Sequence, residues 1–276
     1  MDKEAERVGT VGKALDVLDR VAAFGRPVRF SDLLPGSAYP KATLYRLLRT
    51  LTEQGMIAFD PESQTYTPGI RLVRLAHAAW RRASLAPLAR AHLDSLSAEI
   101  GETVHLAQMD AGAVLYVDKR NARVPVEMFA QAGKVGPAYC TGIGKAMLAF
   151  HDREARERLI AQQSFHAYTA NTITDAGALR AELDAIRARG HAFDDEEHEP
   201  GILCVALPVL SGSGRVMGGL SVTSTPASHS LDSLGALVPR IRSAARRIAE
   251  EAETWRFPEK GSVPREEPRR ETPCPD

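Results

Sequence analysis

The densest chemistry in the chain is the run Asp194-Asp195-Glu196-Glu197-His198-Glu199. Carboxylates and an imidazole are metal-ligand types, so one reading is a metal-assisted hydrolase built on residues 194–198. Neighbouring residues converge on one ion only with partners from elsewhere, and His105, His151 or His166 would have to join them. A solvated acidic loop is the second reading. The segment Thr141-Gly142-Ile143-Gly144-Lys145 invites a phosphate-loop reading and fails it. The GxxxxGK[ST] pattern needs Gly where Tyr139 stands and a hydroxyl residue where Ala146 stands. A tight turn remains, or a helix start whose first amides favour an anionic group. Cys204 lies in the apolar run ILCVALPV with no identifiable base, so it reads as a small hydrophobe and not a nucleophile. Ser221 and Thr223 alternate in GLSVTS and share one face of a strand; that face either lines a polar cavity or meets solvent.

A second chemistry sits in residues 39–55, YPKATLYRLLRTLTEQG. Leu44, Leu47, Leu48 and Leu51 fall at i, i+3, i+4 and i+7, one apolar stripe along a helix. Arg46 and Arg49 point away from it, and Lys41, Thr43 and Tyr45 lie near the leading end. Pro40 suits the first turn and Gly55 the stop. Such a helix can enter a major groove with its N-terminal residues towards the bases. Arginine is the commonest partner of guanine, and phosphate contacts are more numerous than base contacts, so one arginine is expected on a base and one on phosphate. Taken alone, the stretch reads first as an ordinary surface helix.

The surrounding elements change that reading. Val11, Leu15, Leu18 and Ala22 mark a helix over about 10–24. Residues 30–34 allow a short second helix, and Pro35-Gly36-Ser37 a turn. After the third helix, residues 56–59 and 65–67 flank a polar turn and read as a hairpin. Three helices followed by a hairpin is the winged helix-turn-helix order. The wing turn Asp60-Pro61-Glu62 is acidic, which leaves Ser63, Gln64 and Thr65 for any phosphate contact. Residues 70–82 form an amphipathic helix suited to linking two domains, and a further helix runs to Gly101. Strands are expected at 104–109, 113–119, 126–129, 202–210 and 216–223. Helices are expected at 142–150, 153–163, 178–189 with Gly190 as the stop, and 231–255. The result is an α+β chain with helices packed on an antiparallel or mixed sheet. From Pro258 onward the sequence is rich in Pro and charge, and disorder is expected there.

With 276 residues, 44% hydrophobic and 25% charged, the chain suits two globular domains. Net charge is zero, but residues 1–82 carry 13 Lys and Arg against 9 Asp and Glu, leaving the remainder equally acidic. A mildly basic N-terminal segment permits nucleic-acid binding without demanding it. No apolar run is long enough for a membrane span. The three cysteines are far apart and odd in number, which fits a reducing, cytoplasmic setting.

Several segments resemble a known family. ALDVLDRVAAF, KATLYRLLRTLTEQGMI and YTPGIRLVRL are similar to the DNA-binding domain of IclR-family bacterial transcriptional regulators. TGIGKAMLAF and FDDEEHEPGILCVALPV are similar to the effector-binding domain of the same family. The resemblance covers roughly residues 8–250. It implies a winged helix-turn-helix domain at 8–70, a linker helix at 71–84, a GAF-like effector-binding domain at 85–255 and a disordered tail at 256–276. It implies no catalysis and no cofactor. It implies double-stranded DNA with a near-palindromic operator as one partner, and a small organic or sugar acid as the other. It also implies a homodimer or homotetramer and regulation of catabolic genes, more often as a repressor. Carried over residue by residue, the effector pocket would be lined by Met128, Gly142, Ile143, Asp194, Cys204, Ser221 and Thr223. Pro35-Gly36 departs from the family by interrupting the second helix of the motif.

Overall fold

A computed structural model describes residues 9–253 of the chain. It divides into two compact units after Arg82. In the first, helices α1 (Thr10–Ala23), α2 (Phe30–Leu33) and α3 (Lys41–Glu53) pack with strands β1 (Val28–Arg29), β2 (Ile57–Asp60) and β3 (Thr65–Pro68). The leucine stripe of α3 is the centre of the core: Leu44 and Leu48 are fully buried, and Leu47 and Leu51 nearly so. Val17, Leu18 and Val21 of α1 meet them there, with Leu33, Ile57 and Tyr66. The hairpin β2–β3 is antiparallel, and β1 adds a third strand against β3. That added strand was not anticipated, because two residues are too few to show a period. Helix α2 is a single turn. Its end is held by Arg20 of α1, whose guanidinium donates to the carbonyls of Pro35 and, at 2.7 Å, Gly36. The Pro-Gly interruption therefore shortens the helix while the motif stays in place. After α3, Gly55 takes a left-handed conformation (φ 67°), and a side chain at Gly69 would stand 2.2 Å from the Gly55 carbonyl. Helix α4 (Ile70–Ala83) follows.

The second unit is a six-stranded antiparallel sheet with helices on both faces, in the GAF-like manner. Its strands are β4 (Thr103–Asp110), β5 (Ala113–Arg120), β6 (Val135–Pro137), β7 (Ala192–Asp195), β8 (Leu203–Leu210) and β9 (Val216–Ser224), in the spatial order β6-β5-β4-β9-β8-β7. The helices are α5 (Ala86–Ile100), α6 (Gly142–Phe150), α7 (Arg153–Ala161), α8 (Ala176–Arg189), α9 (Leu231–Gly235) and α10 (Val238–Ala252). Helices α5 and α10 pack together against the sheet, and α6 packs on β8, β9 and β7 with α8 behind it. Every residue of α6 from Gly142 to Ala149 is buried.

Two expectations are corrected. Residues 126–129 form no strand: the Phe129 amide donates to both Glu199 carboxylate oxygens at 2.9 and 3.0 Å, not to a ladder. The edge beside β5 is taken instead by β6. The closing helix is two helices, because Pro239 sits in the first turn of α10 and cannot continue an α9 hydrogen-bond ladder. Strand β7 was missed because AFDD is short and half acidic. Trp255 and the expected tail lie outside the described residues.

Candidate functional site

The exposed face of α3 carries Lys41, Tyr45, Arg46 and Arg49, while Thr43 is half-buried on the opposite flank from Tyr45. Tyr45 is braced edge-on against Phe30 of α2, with ring centroids 6.1 Å apart. Arg49 lies 3.5 Å from Glu53, one turn on, and both remain exposed. A solvated pair of this kind contributes little stability, so Arg49 can leave it for another anion at small cost. Lys41, Tyr45 and Arg49 line an open groove together with Phe30, Phe59, Gln64 and Tyr66. The wing turn is self-satisfied. Asp60 accepts from the Glu62 amide (3.0 Å) and the Ser63 hydroxyl (2.6 Å), Ser63 also meets Thr65 at 2.7 Å, and Gln64 donates to the Pro61 carbonyl at 2.8 Å. The hydrogen bonds to Asp60 hold its carboxyl below the usual range, so the turn keeps its negative charge.

The second unit holds a partly open cavity. Met128, Gly142, Ile143, Asp194, Cys204, Ser221 and Thr223 all line it. These residues come from a loop, a helix start and three strands, and the sheet register explains how they meet. Asp194 pairs across with Cys204, Cys204 with Thr223, and Ser221 with His105. One polar row therefore crosses β7, β8, β9 and β4 on the face that α6 covers. Helix α6 approaches closely because Gly142 and Gly144 have no side chain. A Cβ at Gly142 would stand 3.0 Å from Cys204 Sγ, and one at Gly144 would stand 2.5 Å from Ala138 backbone.

Asp194 is the charged centre of this arrangement. One oxygen accepts from the Glu197 amide at 2.9 Å, and the other faces the Gly142 amide at the start of α6, at 3.4 Å. Burial raises its pKa to about 7, with Glu197 adding repulsion. Near neutrality the group is therefore poised between a carboxylate and a hydrogen-bond donor. Lys145, only 1% exposed, pairs with Glu197 behind Asp194 and has Glu182 4.0 Å away. Burial pushes the Cys204 thiol up to about 12 and holds the His105 ring neutral, down to about 3. Cys204 is thus a protonated wall residue, as its apolar strand indicated. Among the lining residues there is no Lys or Arg.

The remaining residues of the acidic run are parted by the chain. Asp195 is exposed, and Glu196, in a left-handed conformation (φ 55°), accepts from the Gly201 amide. His198 sits between Phe129, edge-on with centroids 5.1 Å apart, and Tyr168, tilted at 4.7 Å. The run's backbone is pinned from outside: Asn171, Thr169 and Thr172 donate to the carbonyls of Asp195, Glu196 and Glu197 at 2.9, 2.7 and 2.6 Å. Among the described residues, no three His, Cys, Asp or Glu side chains are placed to share an ion. His151 and His166 do not line the cavity, and His105 does.

Two family models match the chain: "IclR helix-turn-helix domain" over residues 10–61 and "Bacterial transcriptional regulator IclR C-terminal" over residues 77–250. The chain belongs to the IclR family. It is 31% identical over 251 residues to the HTH-type transcriptional regulator KdgR of Dickeya chrysanthemi, covering 91% of this chain and 82% of the relative. It is 28% identical to the transcriptional repressor IclR of Escherichia coli K12, covering 82% and 83% of the two chains. A putative IclR transcriptional regulator from Silicibacter sp. TM1040 superposes with a TM-score of 0.76 at 27% identity, covering 89% of this chain and 96% of that one. This IclR-family chain is accordingly a DNA-binding transcriptional regulator and not an enzyme, which overturns the hydrolase reading of residues 194–198. The family resemblance does not extend to Tyr116 and Phe129, nor to His105, His198 and Glu199, which the sequence offers as metal ligands and which line the cavity instead. His105 had a visible signal, a polar residue inside the apolar strand TVHLA. Phe129 had none, because only the fold brings it to Glu199.

Proposed function

We propose that the protein is a ligand-responsive repressor of catabolic genes that binds a small organic or sugar acid in the cavity of its second unit. The observation that carries this reading is the convergence of seven residues, spread from Met128 to Thr223, on one cavity at the start of α6. A helix start favours an anionic group, and a protonated Asp194 would donate to a carboxylate that an ionised one would repel. On DNA, α3 lies in the major groove, with one of Arg46 and Arg49 on a base and the other on phosphate. Lys41, Thr43 and Tyr45 complete the contact. A homodimer or homotetramer presents two such helices ~34 Å apart or a multiple of it, so the operator is a near-palindrome. The acid binds one arrangement of the subunits better and changes DNA affinity by that difference. Helix α4, which runs up to the boundary between the units, carries the change.

Footprinting upstream of neighbouring genes tests the DNA half. Arg46→Ala and Arg49→Ala should each weaken binding, and the variant that loses a phosphate contact should lower the salt slope by about 0.9. Protection without an inverted repeat, or binding indifferent to both substitutions, rejects it. Thermal-shift screening against organic and sugar acids tests the other half, since a ligand selective for the folded state raises stability with occupancy.

A further inference from the structure

Among the lining side chains, His105 is the one with a buried polar atom that has no hydrogen-bond partner. It is 2% exposed, lies on β4 opposite Ser221 of β9, and lines the cavity. Its Nδ1 stands 3.4 Å from Thr223 Oγ1, near the limit for a hydrogen bond, and its Nε2 has no hydrogen-bond partner among the described residues. Tyr116 packs edge-on against the ring, with centroids 5.5 Å apart, which fixes its plane. Burial and repulsion from Lys119 keep the ring neutral; the Ala130 carbonyl pulls the other way without completing a bond to Nε2. A neutral imidazole offers one donor and one acceptor, and a buried nitrogen left unpaired destabilises the empty site. A ligand atom that meets it removes that penalty.

The two ends of the polar row differ in chemistry. At one end Asp194 and the first amides of α6 suit a carboxylate. At the other, His105 is uncharged, and no Lys or Arg among the lining residues would balance a second carboxylate there. We propose that His105 is a specificity-determining residue whose Nε2 hydrogen-bonds an uncharged hydroxyl or keto oxygen of the ligand, so that the cavity selects hydroxy or keto acids over the matching plain carboxylic acids. This rests on the reading of the cavity as an effector site.

The test is calorimetric titration of the full-length protein with matched pairs: lactate and pyruvate against propionate, 3-hydroxybutyrate against butyrate, and 4-hydroxybenzoate against benzoate. The wild type should prefer the oxygen-bearing member of at least one pair by about tenfold or more, the scale of leaving a buried polar group unpaired. His105→Leu should bring that ratio close to one by weakening only the oxygen-bearing acid. His105→Gln, which keeps a donor and an acceptor, should retain part of the preference. The ligand-free His105→Leu protein should melt no lower than the wild type, because the unpaired nitrogen is gone. Independently of any variant, the His105 Nε2 nitrogen resonance of the wild type should move with the oxygen-bearing acid and stay still with the plain one. Equal preference in wild type and His105→Leu, or an unmoved resonance on saturation with a hydroxy acid, overturns the role of His105 and leaves the effector cavity standing. Binding of none of these acids to the wild type overturns the selectivity proposed for His105, and the thermal-shift screen that includes sugar acids then decides the effector reading.

Discussion

Asp194→Asn keeps the shape of the side chain and removes its titration, so it measures what burial has done to this carboxyl. The folded pKa is about 7 against an ordinary 3.8. Because the folded value is raised, the folded protein holds a proton that the unfolded chain has released between those two values. The stability this contributes is complete below the ordinary pKa and is lost as pH rises through the folded one. At ~1.36 kcal/mol per pKa unit, the wild type should lose about 2–3 kcal/mol between pH 5 and pH 8 that the variant does not lose. Burial also holds His105, His151, His191 and His198 below their ordinary value. Those groups lower stability on acidification, the opposite direction, but they are present in both proteins and cancel in the difference. The assay is denaturant unfolding of both proteins at pH 5, 6, 7 and 8, followed by circular dichroism. The variant should gain on the wild type steadily, most of the gain falling between pH 5 and 7. A difference flat to within about half a kcal/mol, the usual error of additivity, would show that the carboxyl is ionised throughout and refute the argument.

Two further substitutions probe the frame around Asp194. Lys145→Met leaves Glu197 charged and buried without its partner and should destabilise the protein by about 3–5 kcal/mol; the double change Lys145→Met with Glu197→Met should recover most of that, because replacing both members of a buried pair is often neutral. Unfolding midpoints of the single and double variants decide it, and additive losses would contradict it. Gly144→Ala places a methyl 2.5 Å from Ala138 backbone, so α6 must shift away from the turn that precedes it. A melting temperature reduced by the equivalent of about 1–3 kcal/mol, with weaker ligand binding, is expected, and an unchanged melting temperature would mean the α6 contact is looser than its geometry indicates.

What the sequence could and could not reveal follows from the range of each interaction. The leucine stripe of α3 and the hairpin behind it are local patterns, and the structure returns them within a residue or two. Pro239 is local too, and the break it makes between α9 and α10 was readable but passed over under a strong helical period. The strand expected at 126–129 shows the reverse error: VEMF has strand-forming residues, but propensity does not supply a neighbour, and the carboxylate of Glu199, 70 residues away, takes the Phe129 amide instead. The acidic run is the clearest case. Its composition allows a metal ligand set, a solvated loop or a single pocket carboxylate, and local rules do not separate these. The choice is made by distant partners: Lys145 on α6 takes Glu197, the Thr169–Thr172 segment takes the backbone carbonyls, and strand alternation turns Asp194 inward while Asp195 faces solvent. Of the two buried carboxylates in the run, Glu197 has Lys145 as its ion-pair partner and Asp194 has none among the described residues.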